Sequence, residues 1–155
     1  MRNKLLKTFA AFAVMFIVLA FAQTSSAQTR RSNRVRVSKQ QVEQLLERIE
    51  ERSDHFSNSL NKSLDRSRID GSRAEDNITA RARDLENATD ELRREFDHHD
   101  SHMENAPEVR KVINAARVVN GIMVRRNFSR QTEQSWVRLR GEINTLARLF
   151  RIGAI

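Results

Sequence analysis

Residues Phe96 to Glu104 read FDHHDSHME, setting three of the chain's four histidines among Asp97, Asp100 and Glu104. Imidazole and carboxylate together can hold a divalent transition metal. His98 and His102 are four apart, so on a helix they share a face and could chelate one ion. Glu95 precedes His98 with the Glu-x-x-His spacing by which some helical bundles place metal ligands inside. Such an interior site takes a second Glu-x-x-His and two further helical glutamates, and the chain has no second copy. The remaining histidine, His55, would lie about 20 Å of helix away from His98 once the chain doubles back. The plainer reading is the polar end of a helix, where cationic groups complement the dipole. We therefore expect a helix end first, with His98, His102 and Glu95 as an incidental site for zinc, copper or nickel. No other cofactor is expected.

Other chemistries lack their residues. With no cysteine there is no thiolate nucleophile, no disulfide framework and no Cys-based zinc or c-type haem site. No serine sits in a strained turn beside a base and oxyanion donors, and beyond residue 27 there is no Gly-rich phosphate loop. Met103 and Met123 have no convincing facing histidine with which to hold a haem. Trp136, the only tryptophan, falls in a helical stripe and is expected to be a core anchor. The sequence predicts no catalysis.

The elements that must position these residues are helices. Beyond the first 27 residues the only breakers are Gly71, Gly121, Gly141, Gly153 and Pro107, and no stretch alternates as a strand would. Ser38 with Gln41 forms a capping-box pattern ahead of a stripe of Val42, Leu45, Leu46, Ile49, Phe56, Leu60 and Leu64. Ser53 stands where that stripe lacks an apolar residue. The stretch SNSLNKSLDRS has poor helix propensity, so tertiary packing must hold it. Residues 68–72 read as a turn. A second run then carries Ala74, Ile78, Arg81 or Ala82, Leu85, Ala88, Leu92, Phe96, His99 and Met103 in steps of three and four, the repeat of coiled-coil seams. His99 falls in the same stripe, which predicts an interfacial histidine. Pro107 suits the first turn of a third helix, with Val109, Val112, Ile113, Ala116, Val119 and Met123 inward. Ser129 is a candidate cap for a fourth, bearing Thr132, Trp136, Leu139, Ile143, Leu146 and Phe150.

Four amphipathic helices with short turns predict an all-α, up-down-up-down four-helix bundle over residues 38–152. The first two runs are longer than the last two, which predicts a projecting hairpin. The third helix has a second apolar line, Ala115, Val118 and Ile122. Its widened apolar face implies deeper burial, or self-association into a homo-oligomer through that helix.

The chain's start reads as an address. Arg2, Lys4 and Lys7 precede an apolar run of 14 residues, Phe9 to Ala22, below the roughly 18 to 20 needed to cross a bilayer as a helix. Ser25 and Ala27 then stand at the small-residue positions of a cleavage site. The layout is that of a secretory signal peptide, residues 1–27. We expect an exported, periplasmic or secreted protein whose mature part begins at Gln28.

Charge divides the mature part. Residues 28–37 form a basic arm with Arg30, Arg31, Arg34 and Arg36, which Lys39 extends. Residues 40–106 hold 10 bases against 17 acids (−7), and residues 107–155 hold 10 bases against 3 acids (+7). An acidic hairpin followed by a basic one predicts that the two pack together and satisfy each other's charge. The arm then remains as the free cationic element, a candidate polyanion-binding segment comprising Arg30, Arg31, Arg34, Arg36 and Lys39. The expected partner is a protein, an anionic polymer or an anionic membrane surface. Specific nucleic-acid binding is not expected, because the arm has no interleaved aromatics for base stacking.

The segment WVRLRGEINTLARLF, Trp136 to Phe150, resembles the C-terminal helix of uncharacterised exported bacterial proteins, written W-x-x-L-R-x-x-[IL]-N-x-L-A. Trp136, Leu139, Arg140, Ile143, Asn144, Leu146 and Ala147 occupy its positions. The resemblance extends weakly to VVNGIMVRRN and implies a secreted helical bundle without supplying an activity. The sequence thus predicts an exported, non-catalytic binding or structural module. A metal-handling protein using the His98/His102 face is the alternative, and a chaperone-like client binder is third. Exported helical chaperones carry L-T-x-x-Q signatures, which are absent here.

Overall fold

The structure is a computed structural model that describes residues 38–98 and 102–155, apart from the side chain of His102. The expected leader (1–27) and the basic arm (28–37) lie outside the described residues. Four helices follow one another: α1 (Lys39–Leu64), α2 (Arg73–His98), α3 (Ala106–Arg125) and α4 (Arg130–Leu149), with a 3-10 turn at His102–Asn105 between α2 and α3.

Local chemistry fixes most of the ends. Ser38 Oγ accepts the Gln41 N–H at 3.2 Å while Gln41 Oε1 accepts the Ser38 N–H at 2.9 Å, a complete capping box. Gly71 adopts φ +71°, the left-handed region that favours glycine, and turns the chain into α2. Ser72 Oγ accepts the Glu75 N–H there. Pro107 occupies the first turn of α3, where its missing N–H costs nothing. Ser129 Oγ accepts the Thr132 N–H at the start of α4. That helix ends in a left-handed cap at Arg151 (φ 55°), and the Ile152 N–H bonds back to the Ala147 carbonyl at 2.8 Å.

Each helix buries one stripe, and the four stripes make one core running from Val42 and Leu45 to Leu146 and Phe150. Fully burying a Leu, Ile or Phe side chain contributes about 1.5–3 kcal/mol, so the stripes rather than propensity hold the helices. Consecutive helices pack antiparallel, and α4 closes back on α1, giving the up-down-up-down four-helix bundle.

The first hairpin does not project. Its helices have 26 residues each against 20 for α3 and α4, but the connections make up the length. Phe128 packs against the core near Ile69, and the Ser129 N–H donates to Ser63 Oγ at 3.0 Å. At the other end residues 150–155 fold back. The Ile155 N–H donates to Asn144 Oδ1 at 2.8 Å, and Ile152 and Ile155 lie against the core.

Candidate functional site

The polar segment around His98 ends α2. His98 is exposed in the last turn, Glu95 is half-buried one turn earlier, and Phe96 between them is buried. His102 begins the 3-10 turn, while His99, Asp100 and Ser101 lie outside the described residues. Among the described residues one trio of metal-type ligands does converge, and it is elsewhere. Asp65, Asp70 and Glu75 bring oxygens within 4.8 Å of one another at the α1–α2 turn. Glu75 accepts the Gly71 N–H, so that carboxylate already serves the turn.

Of the cations expected in the arm, Arg30, Arg31, Arg34 and Arg36 lie outside the described residues. Lys39 is the first residue of α1, with its Nζ 5.7 Å from the centroid of the Phe96 ring. Its ammonium therefore also binds the two hairpin ends together, in the range of a cation–π contact.

Trp136 is buried. Its ring centroid lies 5.2 Å from that of Phe56, tilted by 49°, a favourable aromatic arrangement. Its Nε1–H donates to Asn120 Oδ1 at 3.2 Å, and Arg140 donates to the same oxygen at 3.3 Å. Around it the α1–α4 seam is lined by hydroxyls. Ser59 Oγ and Ser135 Oγ share a hydrogen bond of 2.9 Å, and Thr132 Oγ1 donates to the Ser59 carbonyl at 2.9 Å. Small side chains let the helices approach, and each buried hydroxyl finds a partner.

The charge of the two hairpins is not cancelled in the way the sequence suggested. Among the described residues one ion pair joins a base of the second hairpin to an acid of the first, Lys111 to Glu91 at 2.9 Å. That hydrogen bond raises the Lys111 pKa. Two others run the opposite way, from Arg48 and Arg52 to the half-buried Glu142 at 3.4 and 3.3 Å. The remainder lie within the first hairpin: Arg93 with Glu43 and Asp97, and Arg81 with Asp84. The reason is geometric. Glu47, Glu51, Asp54, Asp76, Asp84 and Asp97 of α1 and α2 are exposed, as are most arginines of α3 and α4, so few opposite charges meet between the hairpins.

The arginines gather where α2 and α3 diverge. A groove of ≈ 780 Å³ is lined by Ala74, Asn77, Ile78, Val118, Gly121, Ile122 and four arginines: Arg81, Arg117, Arg125 and Arg126. No carboxylate lines it. Arg125 Nε–H donates to the Gly121 carbonyl at 2.9 Å, so the guanidinium folds back along the helix. A Cβ on Gly121 would come within 3.1 Å of that guanidinium. Arg117 donates to Asn114 Oδ1 and to the Gly153 carbonyl. A guanidinium has five N–H donors, so both arginines keep donors for a ligand.

The second apolar line of α3 forms part of this floor. Deeper burial does not describe it: Ala115 and Ile122 are partly buried, but Val118 is 50% exposed. Sequence reasoning noted that line without its neighbours. The missed signal is Arg117-x-x-x-Gly121-x-x-x-Arg125, which places two guanidinium groups on one helical face with a glycine between them. Among the described residues no helix is long and apolar enough to cross a membrane. No protein-family model matches the sequence, nor does any curated protein or solved structure.

Proposed function

We propose that this chain is an exported helical-bundle binding module, without catalytic chemistry, that contacts anionic partners through its basic arm and the cations of its second hairpin. One observation carries the reading. Arg110, Arg117, Arg125, Arg126, Arg138 and Arg148 are exposed, and among the described residues none enters an ion pair. Cations in that state attract polyanions at long range and lose that attraction in salt. The leader pattern supports export. The resemblance of Trp136–Phe150 to exported bacterial bundles points the same way. The metal-handling alternative rests on the spacing of Glu95, His98 and His102, while the trio of metal-type ligands that converges among the described residues, Asp65, Asp70 and Glu75, lies elsewhere.

The test is binding of the mature chain to immobilised heparin and to anionic vesicles across a salt series, with Arg30, Arg31, Arg34 and Arg36 present or all replaced by alanine. The replaced form should elute at lower salt, with unchanged helix content, and keep residual binding from α3 and α4. Both forms should release steeply as salt rises, because exposed charges are screened over about 8 Å at physiological ionic strength. Failure of the mature chain to bind either surface at low salt would end this reading.

A further inference from the structure

We infer that the groove between α2 and α3 is a binding site for a small amphiphile with one alkyl or acyl chain and a phosphate-type head. Three observations lead there. The groove is open to solvent, and its volume, ≈ 780 Å³, is enough for a small molecule, about 300–1,000 Å³. The floor is apolar, with Ile78 and Ile122 beneath the half-exposed Val118. The rim carries four guanidinium groups, and the one acid paired with them, Asp84 on Arg81, lies outside the lining.

Charge complementarity selects the head group. Subtracting Asp84 leaves a local excess of three positive charges, more than one carboxylate would balance. A phosphate monoester presents two negative charges and three oxygens, and guanidinium groups match such oxygens in bidentate fashion. Arg126 is the group freest to turn toward it, since Arg117 also holds the Gly153 carbonyl at 2.8 Å and Arg125 the Gly121 carbonyl at 2.9 Å. Gly121 leaves room for the Arg125 guanidinium to lie along the helix beside the floor. The apolar floor distinguishes this site from a bare anion site, where an inorganic ion would gain as much as an amphiphile.

This inference extends the anion-contacting reading from a surface to a site, and its test separates the two. Dodecyl phosphate, kept monomeric, is titrated calorimetrically into the full mature chain beside inorganic phosphate, dodecanol and phosphatidylglycerol vesicles. One dodecyl phosphate should bind per chain, more tightly than either phosphate or dodecanol. R125Q/R126Q, both exposed side chains whose loss leaves the core intact, should weaken it about tenfold or more, as expected for charge-assisted hydrogen bonds. Val118→Ser should shrink the advantage of dodecyl phosphate over inorganic phosphate. Replacing the four arm arginines with alanine should leave this binding unchanged while heparin retention falls.

Four results would overturn the site. Inorganic phosphate binding as tightly as dodecyl phosphate would reduce it to an ion contact, and dodecanol binding as tightly would reduce it to an apolar patch. Vesicles binding where the monomeric amphiphile does not would make it a membrane surface. Self-association lost in R125Q/R126Q, without amphiphile binding, would give the groove to a second copy.

Discussion

Two seams of this bundle each join a helix of the acidic hairpin to a helix of the basic one, and they differ in the side chains that meet there. Between α1 and α4 the contacts are Ser59 with Ser135, Thr132 with the Ser59 carbonyl, and Phe56 against Trp136. Between α2 and α3 the helices meet through Lys111 and Glu91, then open toward Gly121 into a groove rimmed by arginine. In both seams a net-negative helix faces a net-positive one, so the sign of the charge does not distinguish them. Between α1 and α4 the hydroxyls of Ser59, Thr132 and Ser135 find partners within the seam, and the groove along its edge mixes Glu51 with Arg52 and Arg138. Between α2 and α3 the groove is lined by arginines with no carboxylate among them.

The largest test of the α1–α4 seam is Trp136→Ala. Deleting a buried tryptophan costs about 3–5 kcal/mol, and here it also removes one of the two donors to Asn120 Oδ1. Thermal and denaturant melts should show the variant mostly unfolded or strongly destabilised. A melting temperature near that of the parent would mean the seam does not depend on its aromatic pair.

Next in size is a matched pair of enlargements, one in each seam. Ser135→Leu must push α4 off α1 and remove the Ser59 hydroxyl's partner on α4, leaving it its bond to the Phe56 carbonyl, so overpacking should cost about 1–3 kcal/mol. Val118→Leu enlarges a half-exposed residue at the α2–α3 seam and should stay within about 0.5 kcal/mol of the parent. Equal effects in denaturant titrations would erase the distinction between the seams.

The sequence carried the helices and their ends well, because those are set by residues close together in the chain. The Ser38–Gln41 box, the Ser129 cap and the apolar stripes all stand in the structure as the spacing implied. What escaped depends on residues far apart. The role of Phe128 and Ser129 in covering the α1–α2 turn needs contacts across more than 60 positions, as in Ser129 to Ser63. The groove needs Arg81 on one helix and Arg117, Arg125 and Arg126 at the end of another. Regional charge totals also misled, since −7 and +7 say how much charge is present and nothing about which way it points. Ser59 falls in the stretch of poor helix propensity, and only its hydrogen bond to Ser135 reveals a seam.

A smaller effect separates the few charges that cross the α1–α4 seam. Glu142 is half-buried and receives both Arg48 and Arg52 from α1. Glu142→Gln should cost up to about 1 kcal/mol, the scale of partly exposed ion pairs, and the loss should shrink in high salt. A salt-independent loss would assign the effect to packing of the side chain and not to its charge.

The smallest expected effect is a gain, and it lies away from both seams. Asp90 on α2 has its pKa raised, first by burial, then by Asp54 across the α1–α2 contact, against an opposing pull from Arg94. A carboxyl group whose folded pKa exceeds its unfolded value binds its proton more tightly when folded. Its contribution to stability is therefore unfavourable above the folded pKa and disappears as pH falls through that value. Asp90→Asn keeps the shape and removes the charge. At neutral pH it should raise the melting temperature by about 1–3 °C, the shift that a few tenths of a kcal/mol produces in a domain of this size. The gain should vanish in acid, where the parent's Asp90 is itself protonated. Asp54→Asn should reproduce part of it, because repulsion is the second cause and burial the first. If Asp90→Asn instead lowers the melting temperature at neutral pH, attraction to Arg94 outweighs both, and the α1–α2 contact is held by charge in a way that neither seam is.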